Sequence, residues 1–128
     1  MSAGIDYVLD ASALIALVRC EPGWEKVAEI IDWATISAVN LAEAVAKLIQ
    51  KGGARKAVEA ALDGLSLNVR DWTERLAYDS AEFASLAWER GFSLGDRACL
   101  TLARNLNAVA VTADRAWEGL PVRVLAIR

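Results

Sequence analysis

The fold of this chain is predicted from one segment, Tyr7-Val8-Leu9-Asp10-Ala11-Ser12-Ala13-Leu14. Its first three residues form an apolar strand signal, and residues 11–18 follow with the apolar character of a buried helix. A strand that passes directly into a helix is typical of α/β proteins with a parallel sheet. Asp10 lies at the junction, the place where such proteins bind ligands beside the carboxyl ends of their strands.

The rest of the chain continues this alternation of strands and helices. We predict about five strands, at residues 7–9, 34–36, 67–69, 109–112 and 122–127, and helices at residues 11–18, 24–33, 38–50, 55–62, 73–90 and 93–106. Strands separated by helices predict a mainly parallel sheet that is covered on both faces. The sequence contains no linker, repeat or low-complexity segment, so residues 1–128 are expected to form a single domain.

Four carboxylates occupy positions at which an α/β fold brings side chains together. Asp10, Glu43, Asp96 and Asp114 each follow a predicted strand or lie in the first turns of a predicted helix. The chain contains no histidine, which excludes imidazole acid–base catalysis. Clustered carboxylates repel one another unless a cation neutralises them, and oxygen ligands suit Mg²⁺ or Mn²⁺. The sequence therefore predicts a divalent metal site.

Each acid also has a purely structural explanation. Asp10 could cap the helix that follows it, Asp114 could cap residues 115–118, and Ser93-Leu94-Gly95-Asp96 matches a capping box. Glu43 lies four residues before Lys47, the spacing of a surface ion pair worth ~0.3–0.5 kcal/mol. These explanations do not account for the occurrence of all four acids in this order.

Composition favours a soluble protein with partners. Because 55% of the residues are hydrophobic, the chain can fill one core and leave apolar surface, and we expect an oligomer. The net charge of −3 provides no overall attraction for a polyanion. Phosphate binding would depend on basic groups near the acids, with Arg19, Arg97 and Arg115 as possible phosphate contacts and Lys47 nearby.

The sequence gives no sign of membrane insertion or export. The longest clear apolar run, residues 13–18, has six residues, whereas a membrane helix needs ~20. Residues 1–6 lack the features of a signal peptide, so we expect a cytoplasmic protein. Cys20 and Cys99 have no metal-site spacing and lie in apolar patterns, which predicts free, buried thiols.

The four acids lie in short motifs whose order resembles that of the PIN domain, and within it the VapC-type toxins of toxin–antitoxin modules. The resemblance extends over essentially the whole chain. The motifs are Val8-Leu9-Asp10-Ala11-Ser12-Ala13-Leu14, Ser37-Ala38-Val39-Asn40-Leu41-Ala42-Glu43, Ser93-Leu94-Gly95-Asp96-Arg97-Ala98-Cys99-Leu100, and Val111-Thr112-Ala113-Asp114-Arg115-Ala116-Trp117. Each motif is weak alone, but four in order form a specific pattern.

The resemblance implies a three-layer α/β/α sandwich and a metal-dependent endoribonuclease that acts as the toxin of a toxin–antitoxin pair. Metal-activated water would hydrolyse RNA to leave 5′-phosphate and 3′-hydroxyl ends. A small cognate antitoxin and a second copy of the chain are the implied protein partners.

The same resemblance assigns roles to individual residues. Asp10, Asp96 and Asp114 would bind one or two Mg²⁺ or Mn²⁺ ions, and Glu43 would complete the acidic ring directly or through water. Ser12 and Thr112 would orient a carboxylate or a bound water. For Ser12, a hydroxyl in the first turn of the helix that bonds to backbone is an equal alternative.

Three other functions fit the pattern less well. A receiver domain needs a phosphoacceptor Asp after its middle strand and a late Lys, but no Lys follows Lys56. A haloacid-dehalogenase-type phosphatase needs two acids in its first triplet, whereas Asp10-Ala11-Ser12 supplies one. The third alternative is a PIN scaffold that binds RNA or a protein without cutting; such variants usually lose acids, and this chain retains all four.

Overall fold

Five parallel strands form the central sheet of the computed structural model, which describes residues 6–128. The strands are β1 (Tyr7–Leu9), β2 (Ala34–Ser37), β3 (Asn68–Arg70), β4 (Val109–Thr112) and β5 (Val124–Ala126), in the order β3-β2-β1-β4-β5. From β1 the chain builds outwards to β2 and β3, and then crosses to β4 on the other side of β1. The carboxyl ends of β1 and β4 therefore flank a topological switch point.

In the described part of the chain, seven α-helices connect the strands. They are α1 (Ala11–Arg19), α2 (Trp24–Ile30), α3 (Ala38–Gln50), α4 (Arg55–Asp63), α5 (Glu74–Asp79), α6 (Ser85–Arg90) and α7 (Leu94–Asn105). Short 3₁₀ helices occur at Ile31–Trp33, Ser80–Phe83 and Arg115–Trp117.

The sheet has a hydrophobic core on each face. Successive residues of a strand point to opposite faces, and Leu9 accordingly packs with Leu14 and residues of α2 and α3, whereas its neighbour Val8 packs with Leu100 and Trp117. Both residues are fully buried. This arrangement confirms the expected three-layer α/β/α sandwich with a parallel five-stranded sheet.

The predicted helix at residues 73–90 is wrong in one respect, because the structure divides it into α5, a 3₁₀ helix and α6. The Ser80 hydroxyl donates to the Ala77 carbonyl oxygen at 2.7 Å, a local bond that competes with helical backbone pairing. The predicted end of this region is confirmed, since Gly91 has a φ of 69°. At the sheet edges, β3 begins one residue later than predicted, and β5 is shorter than residues 122–127.

The two cysteines have different environments. Cys99 is a buried free thiol, as expected, but Cys20 is exposed. Cys20 takes the left-handed position after α1, with a φ of 53°, and this directs it away from the apolar face of the helix. Along residues 6–128, none of the helices combines the length and apolarity needed to cross a membrane. The expectation that residues 1–6 carry no export signal falls almost entirely on residues 1–5, which lie outside the described residues.

Gly23 lets the start of α2 approach the end of the chain. It has a φ of 95°, and a Cβ at this position would overlap the backbone carbonyl of Ile127, a buried residue just after β5. Gly52 offers a comparison, because it has a φ of 107° but no atom lies within 4 Å of the place that a Cβ would take. The positive φ favours glycine at both positions. Only at Gly23 is the absence of a side chain also needed for the close contact with Ile127.

We expect Gly23→Ala to destabilise the protein more than Gly52→Ala does. Backbone strain alone should cost about 1–2 kcal/mol at Gly52. The overlap with Ile127 should add about 1–3 kcal/mol at Gly23. Urea unfolding of the two variants measures the difference, and equal losses of stability would contradict this account of the α2–β5 contact.

Candidate active site

Asp10 lies at the centre of the site, at the carboxyl end of β1. Its backbone N–H continues the sheet by donating to the Val111 carbonyl oxygen at 3.0 Å, and the residue is only 5% exposed. Oδ1 accepts hydrogen bonds from the Ala13 backbone N–H at 2.8 Å and from the Ser12 hydroxyl at 2.7 Å. Asp10 therefore caps α1, as the structural explanation predicted, but capping uses only one of its two oxygens.

The second oxygen joins Asp10 to β4. Thr112 Oγ1 donates to Asp10 Oδ2 at 2.5 Å and accepts from the Asp114 backbone N–H at 3.0 Å. Ser12 Oγ is also shared, because it donates to Asp10 and accepts from the Ala113 backbone N–H at 2.9 Å. The two hydroxyls thus connect Asp10 to the loop that carries Asp114. The bond between Ser12 and Ala113 joins two separate segments, so Ser12 has a backbone partner as well as the Asp10 carboxylate.

The four acids line one cavity of about 260 Å³. Asp10 and Asp114 come from the ends of β1 and β4, Glu43 from α3 and Asp96 from the first turn of α7. The remaining lining residues are Ala11, Ser12, Ile15, Asn40 and Lys47. The topology therefore gathers carboxylates that are up to 104 positions apart in the sequence, from Asp10 to Asp114.

Asp96 and Asp114 combine capping with their position in the cavity. Asp96 Oδ2 accepts from the Ser93 backbone N–H at 2.9 Å, and Ser93 Oγ accepts from the Asp96 N–H at 3.1 Å, which completes the predicted capping box. Asp114 Oδ1 accepts from the Ala116 N–H at 2.8 Å and caps the 3₁₀ helix after β4. Capping and a role in the site are therefore compatible, because each cap engages one carboxylate oxygen.

Glu43 has a different partner from the one expected of a surface residue. Among the ion pairs of residues 6–128, none joins Glu43 to Lys47. Instead, Asn40 Nδ2 donates to Glu43 Oε1 at 3.0 Å. Lys47 lines the same cavity as Glu43 and is the one cationic residue among the residues that line it.

Asn40 is the site residue that the sequence analysis missed. The residue is 1% exposed, and Nδ2 also donates to the Gly95 carbonyl oxygen at 2.9 Å, so it connects α3 to the start of α7. A signal was present, because Asn40 precedes Glu43 by three residues and therefore shares its helix face. Its second partner, Gly95, is 55 residues away and has no counterpart in a sequence pattern.

Burial is the largest influence on the pKa of Asp10 and of Glu43. It raises the pKa of Asp10 from 3.8 to about 6, although the bonds from Thr112, Ser12 and Ala13 oppose this shift. Burial also raises the pKa of Glu43, against the hydrogen bond from Asn40. The negative charge of Asp96 adds to the increase in pKa at both residues. A cation in the cavity would relieve this repulsion.

The donor chemistry of the cavity fits a hard divalent cation. Its polar lining consists of carboxylate, hydroxyl and amide groups with the single ammonium of Lys47, and it contains no thiol or imidazole. Within residues 6–128, no three acidic, cysteine or histidine side chains already converge closely enough to hold a metal ion. The acids share one cavity, and metal binding would require their carboxylates to lie closer together than they do here.

The three predicted phosphate contacts lie outside the lining of this cavity. Arg19 Nε is 3.4 Å from Glu21 Oε2, Arg97 Nε donates to the Ser93 carbonyl oxygen at 3.3 Å, and Arg115 Nε donates to the Arg128 carbonyl oxygen at 2.8 Å. Their role as phosphate contacts stays a prediction.

A larger cavity of about 490 Å³ lies between β3, α5 and α7, but Asp71 is the one acid in its lining, so this cavity lacks a carboxylate cluster.

We expect the metal-free protein to lose stability as pH rises from about 4 to about 6. The folded state holds the Asp10 proton more tightly than the unfolded chain does, so stability is greatest below the unfolded pKa and falls until the folded pKa is passed. The loss at neutral pH should approach about 3 kcal/mol. Asp10→Asn should remove most of it.

Urea unfolding in a chelator, across this pH range, measures the effect. Asp32→Asn, at an exposed position, is the matched control and should retain the wild-type pH dependence. The same pH dependence in Asp10→Asn and wild type would show that Asp10 is not the responsible group.

The comparisons with known proteins agree with this architecture. The family profile of the PIN domain matches residues 7–122. A structure of DNA-bound VapBC from Salmonella typhimurium is similar with a TM-score of 0.75 at 21% identity, over 97% of this chain and 99% of that one. For VapC20 of Mycobacterium tuberculosis, described as a toxin that cleaves the sarcin–ricin loop, the TM-score is 0.71 at 23% identity, over 92% and 99% of the two chains.

A third solved structure, PAE2754 from Pyrobaculum aerophilum, is similar with a TM-score of 0.61 at 24% identity, over 94% of this chain and 83% of that chain. No curated protein is significantly similar to this chain in sequence. At these identities the structural matches establish the fold, whereas the family profile extends over nearly all of the described residues. The parallel sheet, the four-acid cavity and this profile together show that the chain belongs to the PIN domain family.

Proposed function

We propose that this protein is a metal-dependent endoribonuclease and acts as a VapC-type toxin of a toxin–antitoxin pair. The observation that carries the proposal is the cavity in which Asp10, Glu43, Asp96 and Asp114 meet. In a chain without histidine, such a cavity suits metal-assisted hydrolysis of a phosphodiester. Membership of the PIN domain family and structural similarity to VapBC complexes support the same function.

Each side chain has a defined task in this proposal. Asp10, Asp96 and Asp114 would hold one or two Mg²⁺ or Mn²⁺ ions, with Glu43 bound directly or through water. Bound divalent ions would activate water and neutralise charge on the phosphate. Thr112 and Ser12 hold Asp10 in place by the bonds described above and would keep its oxygens directed to the cavity.

Lys47 is positioned for the substrate. It lines the acidic cavity and forms no ion pair within residues 6–128, so its ammonium is available to a phosphate of the RNA backbone. Because water is the nucleophile, cleavage should leave 5′-phosphate and 3′-hydroxyl ends. The choice of RNA would depend on exposed bases and on the surface around the cavity.

We further propose that a small antitoxin binds beside the site. An apolar groove of about 200 Å³ lies between α1, α3 and α4 and is lined by Val18, Arg19, Leu48, Gly53, Ala57, Val58 and Ala61. The groove adjoins the acidic cavity along two helices. On α1, Ile15 lines the cavity three positions before Val18 of the groove, and on α3, Lys47 lines the cavity one position before Leu48 of the groove. A helix or extended segment in this groove would therefore reach the acids with its basic side chains.

We expect RNA cleavage to require Mg²⁺ or Mn²⁺ and to be nearly abolished in Asp10→Asn and Asp96→Asn, because each change removes charge from a metal ligand. Glu43→Gln should lower the cleavage rate by about 10- to 100-fold or more. The fold should persist, since Asn can still accept the capping bonds of Asp10 and Asp96. A cleavage assay on total RNA with mapped ends measures rate and product chemistry. Asp71→Asn, outside the acidic cavity, is the control and should retain activity.

Full cleavage by wild type in excess chelator would rule out the metal mechanism. Absence of cleavage with saturating Mn²⁺, together with retained RNA binding, would instead support the alternative of a non-cleaving PIN scaffold. If Glu43→Gln cleaves RNA at the wild-type rate at both saturating and limiting Mn²⁺, Glu43 is not part of the site, and the site consists of the other three acids.

We expect the protein to form a homodimer and to bind a small antitoxin encoded by an adjacent gene. Tyr78 and Trp88 leave 68% and 75% of their surfaces exposed, which provides apolar area for association. Ala57→Arg should abolish antitoxin binding by blocking the groove, whereas Ala60→Arg, on an exposed part of α4 outside the groove lining, should not. Light scattering of the protein alone and with the antitoxin measures both the oligomeric state and the complex. A protein that is monomeric and does not bind the antitoxin would contradict this prediction.

A further inference from the structure

Asn40 is one of the few polar side chains that the fold buries almost completely. The residue is 1% exposed, and its Nδ2 has two acceptors, Glu43 Oε1 and the Gly95 carbonyl oxygen. The first acceptor lies one turn further along α3, and the second lies in the first turn of α7, next to Asp96. A single amide therefore connects two of the segments that supply acids to the cavity.

The other atom of this amide has no partner. Asn40 Oδ1 is buried and accepts no hydrogen bond within residues 6–128. The reversed amide would place an acceptor oxygen against both the Glu43 carboxylate and the Gly95 carbonyl, so the observed orientation is the favourable one. An unpaired buried oxygen is destabilising, and an apolar residue of similar size would avoid that penalty. The hydrogen bonds of Asn40 therefore all come from Nδ2, and one of them holds the Glu43 carboxylate.

Gly95 fits closely against the same carboxylate. It is buried in α7, and a Cβ at this position would overlap both oxygens and the carboxyl carbon of Glu43. Gly95 is not among the glycines with positive φ, so the backbone itself does not require glycine here. The missing side chain is needed only for the space that Glu43 occupies.

We propose that Asn40 and Gly95 are positioning residues that together place the Glu43 carboxylate in the acidic cavity. Asn40 directs Glu43 by a hydrogen bond, and Gly95 leaves the volume that the carboxylate needs. This assignment rests on the proposed metal site and adds that the affinity for the metal depends on two residues that do not bind it. Both act through Glu43.

Gly95→Ala is the decisive variant because it separates metal affinity from folding. The overlapping atoms are the far end of a flexible side chain, so Glu43 can rotate away and the fold is preserved. We expect thermal stability in chelator to equal or exceed that of wild type, because Ala favours a helix more than Gly does. The Mn²⁺ dissociation constant, measured by calorimetry without RNA, should increase about 10- to 100-fold.

Gly64→Ala is the matched control. Gly64 ends α4 with a φ of −65°, and a Cβ there would make ordinary contacts of 3.6 Å with the carbonyl oxygens of Ala60 and Ala61. This variant should bind Mn²⁺ like wild type. Asn40→Leu provides a second probe, because it removes the bond to Glu43 and should weaken Mn²⁺ binding. Its melting temperature in chelator measures separately the stability that is lost with the bond to the Gly95 carbonyl.

A double-mutant cycle tests whether Gly95 acts through Glu43. If it does, Gly95→Ala combined with Glu43→Gln should bind Mn²⁺ no more weakly than Glu43→Gln alone. Wild-type Mn²⁺ affinity in Gly95→Ala, or additive losses in the double variant, would overturn the assignment. Absence of Mn²⁺ binding by the wild-type protein is a different outcome, since it would overturn the metal site itself and with it any positioning role.

Discussion

The buried carboxylate of Asp10 is the group on which the arrangement of the site depends. It lies where β1 and β4 end side by side, caps α1 with one oxygen and accepts the Thr112 hydroxyl with the other. Each bond stabilises the ionised form, yet burial still raises the pKa to about 6. The protein thus pre-organises a charged group that it does not fully stabilise, and a bound cation would supply the missing interaction.

The other acids show how structural and chemical roles share one side chain. A carboxylate has two oxygens, and the helix caps made by Asp96 and Asp114 each engage one of them. Caps also fix the position of the carboxylate relative to the helix backbone. In Asp96 and Asp114, the oxygen that the cap does not use would remain for a cation.

Glu43 lacks a capping role, and the structure restrains it by other means. Asn40 and Gly95 contact it from α3 and α7, the two helices that approach each other over the cavity. The buried Asn40 Oδ1, which accepts no hydrogen bond from any of the described residues 6–128, is the cost of this restraint. Side chains that are not the most stable choice for their position are typical of functional sites. Asn40 is such a side chain, and it lines the cavity of the acids and is not a member of either hydrophobic core.

The sequence by itself determined the α/β class, the positions of β1 and β4, and the four acids, because strand-to-helix junctions and short motifs are local patterns. It also determined the caps of Asp10 and Asp96, which depend on neighbours within three residues. Only the tertiary structure decided that Asn40 binds Gly95 and that Ser12 contacts Ala113, because these contacts join distant segments, whereas the bond from Asn40 to Glu43 joins residues one helical turn apart. The exposure of Cys20 and the break at Ser80 were likewise undetermined, since backbone geometry and competing hydrogen bonds override apolar periodicity there.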